Sequence, residues 1–257
     1  MGKEKVSIEI PTTWNDISIK MYNKFERLKK RRSKLEEEEF NVQVICIICD
    51  IERKVLERME VKDINRIAKE LRFLMSTTPN TDELQKKVEW NGKKYGFIPN
   101  LSEISMGEYI DIEEYCKEAH KNIHKIMSIL YRPIAKESSA RYKIEPYSPS
   151  EEIEESFLDF PILPSMSALS FFFSFREKTT NRFSQIFEAG EAKIEGKTLE
   201  GKWGWYNVVF ALANDDILKI KKVTELEFYL VLTYLCYQQD KDSIKNNNYG
   251  NIQKHNR

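Results

Sequence analysis

Residues 14–22 read WNDISIKMY and residues 101–109 read LSEISMGEY, and the two stretches are versions of one pattern. Six of the nine positions match in kind, because a large apolar residue, an acid, Ile, Ser, a second apolar residue and Tyr follow in the same order. The copies are offset by a constant 87 residues, and each lies between a proline and an amphipathic helical pattern. The repetition indicates one packing element that is used twice, and it does not resemble a catalytic motif.

The composition is typical of a globular, mainly helical protein. With 257 residues, the chain can form one large domain or two smaller ones around an apolar core. Hydrophobic residues make up 41% and charged residues 32%, which indicates an ordinary core and a heavily charged surface. Nine glycines and eight prolines are few for a β-sandwich, and they favour long helices.

Charge and hydropathy argue against two classes of partner. The 41 basic residues balance the 41 acidic residues, whereas proteins that bind nucleic acid usually carry net positive charge or a basic face. The longest uncharged apolar runs are far shorter than the roughly 20 residues of a membrane span. We therefore expect no membrane partner and disfavour nucleic acid. Four scattered cysteines are typical of a reducing, cytoplasmic compartment.

One small antiparallel sheet is predicted beside the helices. Residues 6–10 alternate apolar and polar side chains, as a half-buried strand does. Asn91-Gly92, between residues 88–90 and 93–98, favours the positive φ angles of a type I′ hairpin turn. Because an isolated hairpin is only marginally stable, we expect residues 6–10 to pair with it in a three-stranded sheet. That pairing would bring the two copies of the repeated pattern side by side.

Capping residues mark several helix starts. Ser18 can cap the helix that follows the first copy, and Ser105 with Glu108 has the spacing of a capping box after the second. Pro133 ends the long helix that follows, since proline disfavours the α conformation in the residue before it. We expect a mainly α (α+β) fold of helical, bundle-like domains with the one small sheet.

The chain is expected to divide near its middle. Residues 1–135 are predicted to form an α-rich domain that contains the sheet and the duplicated strand–helix pattern. Residues 136–150 are polar and contain two prolines, which is typical of a linker. Residues 151–240 carry several short helical patterns, and residues 241–257 are predicted to be a polar, disordered tail.

Candidate metal or redox residues are better explained by packing. Cys46 and Cys49 have the spacing of a metal or redox pair, but their flanks are apolar and no second pair matches them. His120 and His124 are four residues apart, yet a lysine stands where a zinc protease has its glutamate, and His255 falls in the predicted tail. The glycines lack the spacing of a phosphate-binding loop. We assign no metal, no cofactor and no catalytic residue, and we do not expect an enzyme.

An excess of aromatic residues indicates a candidate protein-interaction surface. Residues 171–175 read FFFSF, so aromatic side chains surround most of the predicted helix. Such a helix is either buried on all sides or turns one side to a partner. Aromatic residues near position 204 admit the same two interpretations. The candidate interaction residues are Phe171, Phe172, Phe175, Trp203 and Trp205.

A basic stretch is the feature that could indicate nucleic-acid binding. Residues 29–34 include five basic side chains, and residues 36–39 are all acidic, so charges four apart can pair along one exposed face. A solvated helix end or turn explains this pattern better than a recognition patch does. A nucleic-acid-binding accessory protein is nevertheless one alternative function.

Several short stretches resemble proteins encoded among the virion-morphogenesis genes of tailed bacteriophages, crAss-like phages included. They are residues 10–17 (IPTTWNDI), residues 101–111 (LSEISMGEYID), residues 129–134 (ILYRPI) and residues 205–219, which contain LANDDI. The resemblance is spread over most of the chain and consists of structural motifs, so it transfers no catalytic residue.

The resemblance implies a role in building the phage particle. Proteins of this group are described as tail assembly chaperones or as structural components. The chain is therefore expected to be a non-enzymatic, chaperone-like morphogenesis protein of the host cytoplasm, and its expected partners are phage structural or tail proteins. A permanent virion component of the tail, neck or baseplate is the alternative. The oligomeric state is left open.

Overall fold

The computed structural model describes residues 8–139, 141–187 and 203–255, with side chains up to residue 245. These residues form a mainly helical protein with one small antiparallel sheet, which confirms the predicted helical character and the presence of a small sheet. The helices are α1 (Ile19–Lys29), α2 (Glu37–Ile48), α3 (Arg53–Leu56), α4 (Val61–Glu70), α5 (Phe73–Ser76), α6 (Met106–Cys116), α7 (Ala119–Leu130), α8 (Glu151–Ser156), α9 (Ile162–Arg182), α10 (Trp205–Leu212), α11 (Ile217–Thr224) and α12 (Phe228–His255).

The sheet contains four antiparallel strands in sequential order. They are β1 (Lys87–Trp90), β2 (Lys93–Phe97), β3 (Tyr131–Glu137) and β4 (Tyr142–Ile144). The predicted hairpin is confirmed, because Trp90 pairs with Lys93 across a turn formed by Asn91 and Gly92. Their φ angles of 49° and 68° are the positive values that a type I′ turn requires.

The prediction of a three-stranded sheet that includes residues 6–10 is wrong. Within the described part of that segment, residues 8–10 belong to no strand, while residues 6 and 7 lie outside the described residues. The strand beside β2 is β3, which begins directly after α7 and pairs Tyr95 with Pro133. Alternating apolar and polar side chains indicate an extended segment, but they do not show which strand it pairs with. The two copies of the repeated pattern were expected to lie side by side because of this pairing, so that expectation is no longer supported.

Pro133 both ends α7 and takes part in the sheet. Its carbonyl oxygen accepts a hydrogen bond of 2.9 Å from the backbone N–H of Glu145. A proline lacks the backbone N–H donor but keeps its carbonyl oxygen. It can therefore occupy a strand position at which only the carbonyl oxygen forms a hydrogen bond. This dual role explains why the sequence signal for a helix end concealed the strand that follows.

The contacts divide the chain into two compact units, each built from two separate stretches. The first unit contains Met1–Phe97 and Glu118–Phe171, and the second contains Ile98–Lys117 and Phe172–Arg257. This grouping differs from a division at residues 136–150, a segment that contains β4. Helix α12 extends into the segment predicted to be a disordered tail.

In the first unit, the repeated pattern forms a junction between two helix starts. The Ser18 hydroxyl caps α1 by accepting a hydrogen bond of 3.2 Å from the Met21 N–H. The two residues around Ser18 pair with the segment before α9: the Ile19 N–H donates to Phe160 O at 2.9 Å, and the Ile162 N–H donates to Ile17 O at 2.7 Å. The junction thus joins α1 to α9 through backbone hydrogen bonds.

The second unit repeats this junction with the second copy. Ser105 and Glu108 form the predicted capping box at the start of α6. The Met106 N–H donates to Leu226 O at 2.8 Å, and the Phe228 N–H donates to Ile104 O at 2.8 Å, at the start of α12. The two copies therefore form the same structural element, one in each unit.

Aromatic side chains fill the core of the first unit. The ring of Trp90 lies 5.1 Å from that of Phe157 and 5.2 Å from that of Phe160, between centroids. Tyr131 is fully buried and lies 5.2 Å from Phe160. These contacts pack the sheet against the segment that leads into α9.

Candidate functional site

Large apolar side chains at the surface of the second unit are candidate interaction residues. Large apolar side chains are buried more often than polar ones, and exposed ones are available to contact a partner. Four of them belong to α10, α11 and the residues just before them, and we call this set the α10–α11 patch: Trp203, Tyr206, Ile217 and Leu218. Four more lie on α12, and we call this set the α12 row: Leu230, Tyr234, Tyr237 and Ile244.

The aromatic part of the α10–α11 patch is held by ring contacts. Tyr206 and Phe210 are four residues apart on one side of α10, whereas Trp203 precedes Gly204, the residue before the helix, whose φ angle is 52°. The Phe210 ring lies 6.0 Å from that of Trp203 and 6.2 Å from that of Tyr206, between centroids. Burial, with the nearby carboxylates of Asp111 and Glu114, raises the pKa of Tyr206. The Tyr206 side chain therefore stays a neutral phenol that can contribute both a ring and a hydroxyl to a contact.

The aliphatic part of the patch lies on a sharply turned connection. Asn214 and Asp215 adopt positive φ angles of 53° and 56°, which turns the chain between α10 and α11. Asp216 then caps α11 by accepting a hydrogen bond of 3.0 Å from the Leu218 N–H. The turn and cap fix Ile217 and Leu218 at the first two positions of α11, where their side chains are 78% and 83% exposed.

Two of the predicted interaction residues, buried Phe172 and half-buried Trp205, contact the same aromatic side chains of the second unit. Phe172 is fully buried, and its ring centroid lies 6.3 Å from that of Tyr109. Tyr109 stacks on Phe228 at 3.6 Å, and Trp205 meets the Tyr109 ring edge-on at 5.9 Å. Phe172 and Trp205 thus pack in one aromatic cluster, and Phe172 is inaccessible to a partner.

The other predicted interaction residues are more accessible than Phe172. Phe175 is half-buried and stacks on Tyr229 with ring centroids 5.7 Å apart. Phe171 is exposed on one side and turns its ring edge towards Phe97 at 5.7 Å. Trp203 is exposed and belongs to the α10–α11 patch. Phe171 and Trp203 are therefore the predicted residues that are most available for binding.

Sequence analysis missed Ile217 and Leu218 as candidate binding residues. Two adjacent aliphatic residues at the start of a helix are usually predicted to be buried. Their side chains point 100° apart around the helix axis, which still places both on one wide apolar face. On α11 the buried position is Val223, on the other side of the helix. The sequence feature that could have indicated their exposure is the preceding Asn214-Asp215-Asp216. Asn and Asp tolerate positive φ angles and can cap a helix, so they predict a turn directly before Ile217.

An ion pair between half-exposed Arg176 and partly buried Glu113 links α6 to α9 in the second unit. The Arg176 Nε lies 2.7 Å from Glu113 Oε1, and its Nη2 donates to Oε2 at 2.9 Å, so the guanidinium binds the carboxylate through both oxygens. Burial, reinforced by Glu113, raises the pKa of the neighbouring Cys116 to about 11. The charges of this cluster are matched, and the Cys116 thiol is protonated at neutral pH.

The cysteine pair of α2 is also held in its thiol form. Cys46 and Cys49 are both half-buried and free. Burial raises the pKa of both thiols, that of Cys49 to about 11. Among the described residues, no group of three or more His, Cys, Asp or Glu side chains is arranged to hold a metal ion. The packing interpretation of Cys46 and Cys49 is consistent with these positions.

The two helix α7 histidines have different surroundings. His120 is exposed, whereas His124 is buried with its Nε2 at 3.6 Å from Glu155 Oε1. Burial lowers the pKa of His124, although Glu155 opposes the shift. The end of α8, at Glu155, therefore packs against a neutral imidazole.

The unfolding free energy is expected to fall as the pH falls below about 6.5, the ordinary pKa of histidine. The unfolded chain binds the His124 proton more readily than the folded chain does, so acidification favours unfolding. Urea denaturation between about pH 5 and pH 8 measures this slope, and His124→Gln should flatten it. An unchanged slope in His124→Gln would assign the pH dependence to other groups.

The basic stretch at the end of α1 makes local contacts. The Lys29 ammonium lies 2.7 Å from Glu26 Oε1, and the Arg32 guanidinium lies over the Phe40 ring at 4.4 Å from its centroid. The remaining charges from Lys30 to Lys34 are exposed. This arrangement is typical of a solvated helix end.

Within the described part of the chain, no helix combines the length and apolar character that a bilayer crossing needs. Comparison of the chain with protein-family models, with curated proteins and with solved structures gave no match in any of the three.

Proposed function

We propose that this protein is a non-enzymatic morphogenesis factor of a tailed bacteriophage, which binds virion or tail proteins through exposed apolar helical faces. It acts in the host cytoplasm during particle assembly, in the manner of a tail assembly chaperone. One observation carries the binding role: Ile217 and Leu218 expose 78% and 83% of their surface at the capped start of α11. The sequence resemblance supports the phage context.

The composition of the α10–α11 patch supports an adaptable protein contact. Trp and Tyr are among the residues that dominate binding energy at protein interfaces, and Trp203 and Tyr206 supply both. The aliphatic side chains of Ile217 and Leu218 add area that water solvates poorly. A partner that covers the patch removes this apolar surface from water, which favours association.

Two measurements test the proposal and separate it from its alternative. Affinity-tagged full-length chain, recovered from cells infected with the phage that encodes it, should carry phage structural or tail proteins identified by mass spectrometry. Purified virions should contain the chain only in trace amounts. A stoichiometric amount in virions would instead favour a permanent component of the tail, neck or baseplate. Recovery of no phage protein would contradict both roles.

A further inference from the structure

The α12 row has the spacing of a helix–helix seam. Leu230, Tyr234, Tyr237 and Ile244 are 56%, 46%, 58% and 62% exposed, respectively. With Lys241 included, the separations are four, three, four and three residues, which is the 3.5-residue repeat of two supercoiled helices. The spacing keeps all five side chains on one line along α12.

The row is separate from the face by which α12 packs in its own unit. Phe228, Val231 and Leu232 are buried, and the row lies on another side of the helix. From residue 240 to residue 245 every described side chain is exposed, so this part of α12 is open all round. A polar helix without tertiary packing is marginally stable in water, and a second helix along the row would stabilise it.

We propose that the α12 row binds α12 of a second copy of this chain in antiparallel orientation, about a two-fold axis at Tyr237. Under this symmetry, Leu230 packs against Ile244 of the second copy, and Tyr237 packs against its own equivalent. Tyr234 and Lys241 are three and four residues from the axis, so Tyr234 lies within one residue of the position opposite Lys241 of the second copy. The contact is isologous and closes as a dimer.

The chemistry of the row favours the antiparallel arrangement over a parallel one. In a parallel pair, Lys241 would oppose the same lysine of the second copy, and like charges at the seam repel. In the antiparallel pair each lysine instead lies near a tyrosine ring, an attractive cation–π contact. Within one chain, the Lys241 ammonium already lies 6.0 Å from the centroid of the Tyr237 ring, so its position suits an aromatic neighbour.

The area of the row sets the expected strength of the dimer. Four large apolar side chains that are about half exposed offer roughly 400–500 Å² per copy, so the pair buries about 800–1,000 Å², near the lower limit for a specific interface. The dimer should therefore form reversibly, with a dissociation constant in the micromolar range. The dimer uses residues outside the α10–α11 patch. A test of the dimer therefore gives a result that does not depend on the proposed function.

Analytical ultracentrifugation of the full chain at concentrations from about 1 to 200 μM tests the dimer. The wild type should pass from monomer to dimer, and Tyr237→Glu should weaken the association by at least tenfold. Ser243→Glu adds the same charge at an exposed position of α12 outside the row, and it should leave the association unchanged. A wild-type monomer at all concentrations, a larger oligomer, or equal effects of both variants would overturn the proposal.

A charge exchange tests the orientation. Tyr234→Lys places a lysine near Lys241 of the second copy, so it should weaken an antiparallel dimer. Adding Lys241→Glu should restore it, because each introduced lysine then lies near an introduced glutamate. In a parallel dimer the double variant would bring like charges together at both positions. Failure of the double variant to recover the dimer would overturn the antiparallel pairing.

Discussion

Phe172→Ala is expected to lower the free energy of unfolding by about 3–5 kcal/mol. The side chain is fully buried against Tyr109, in the cluster that Trp205 and Phe228 complete. Removing the ring loses its transfer free energy and leaves a cavity among aromatic neighbours that cannot easily collapse. Urea denaturation followed by far-UV circular dichroism measures the change.

The adjacent phenylalanine is the matched control. Phe173 is on the same helix and is 40% exposed, so Phe173→Ala should cost less than about 1 kcal/mol. Similar costs for the two substitutions would contradict the assignment of Phe172 to the core. That outcome would return Phe172 to the set of residues that can meet a partner.

Gly96→Ala is expected to destabilise the sheet by about 1–3 kcal/mol. A Cβ atom at this position would lie 2.4 Å from Cε2 and 2.8 Å from Cδ2 of Tyr142. The Tyr142 ring cannot simply move aside, because its hydroxyl donates a hydrogen bond of 2.7 Å to Phe97 O. The substitution therefore sacrifices either this hydrogen bond or the pairing of β2 with β3.

A double-mutant cycle shows whether the ring is the cause. In a Tyr142→Ala background the clash with the ring is absent, so Gly96→Ala should cost less than about half of its effect in the wild type. The remaining cost arises from Ile144 Cγ2, which a Cβ atom at residue 96 would approach to 3.0 Å. Additive costs of the two substitutions would contradict the contact between Gly96 and the tyrosine ring.

Features that depend on neighbouring residues could be predicted from the sequence. The caps at Ser18 and Ser105 and the turn at Asn91-Gly92 depend on side chains and φ angles within a few residues. The repeated pattern also predicted one packing element in two copies. Its partners, the segments before α9 and α12, could not be predicted because they are more than 100 residues away along the chain.

Features that depend on distant pairing were missed. Strand β3 was not predicted, because in the sequence Pro133 indicates the end of a helix. Only the folded sheet shows that Pro133 takes part in a strand through its carbonyl oxygen. On α12 the spacing of Phe228, Val231 and Leu232 is that of one helix face, and all three side chains are buried. The α12 row had a periodic signal as well, but helical periodicity alone does not show which of two apolar stripes is covered.

The most direct measurement of partner binding compares the proteins recovered with tagged wild-type chain and with an Ile217→Asp/Leu218→Asp variant from infected cells. Lys221→Asp/Lys222→Asp is the matched control, since it places two acids at exposed positions of the same helix. We expect phage structural or tail proteins with the wild type and the control, and at least tenfold less with the Ile217/Leu218 variant. Equal recovery with all three chains would contradict binding through the α10–α11 patch.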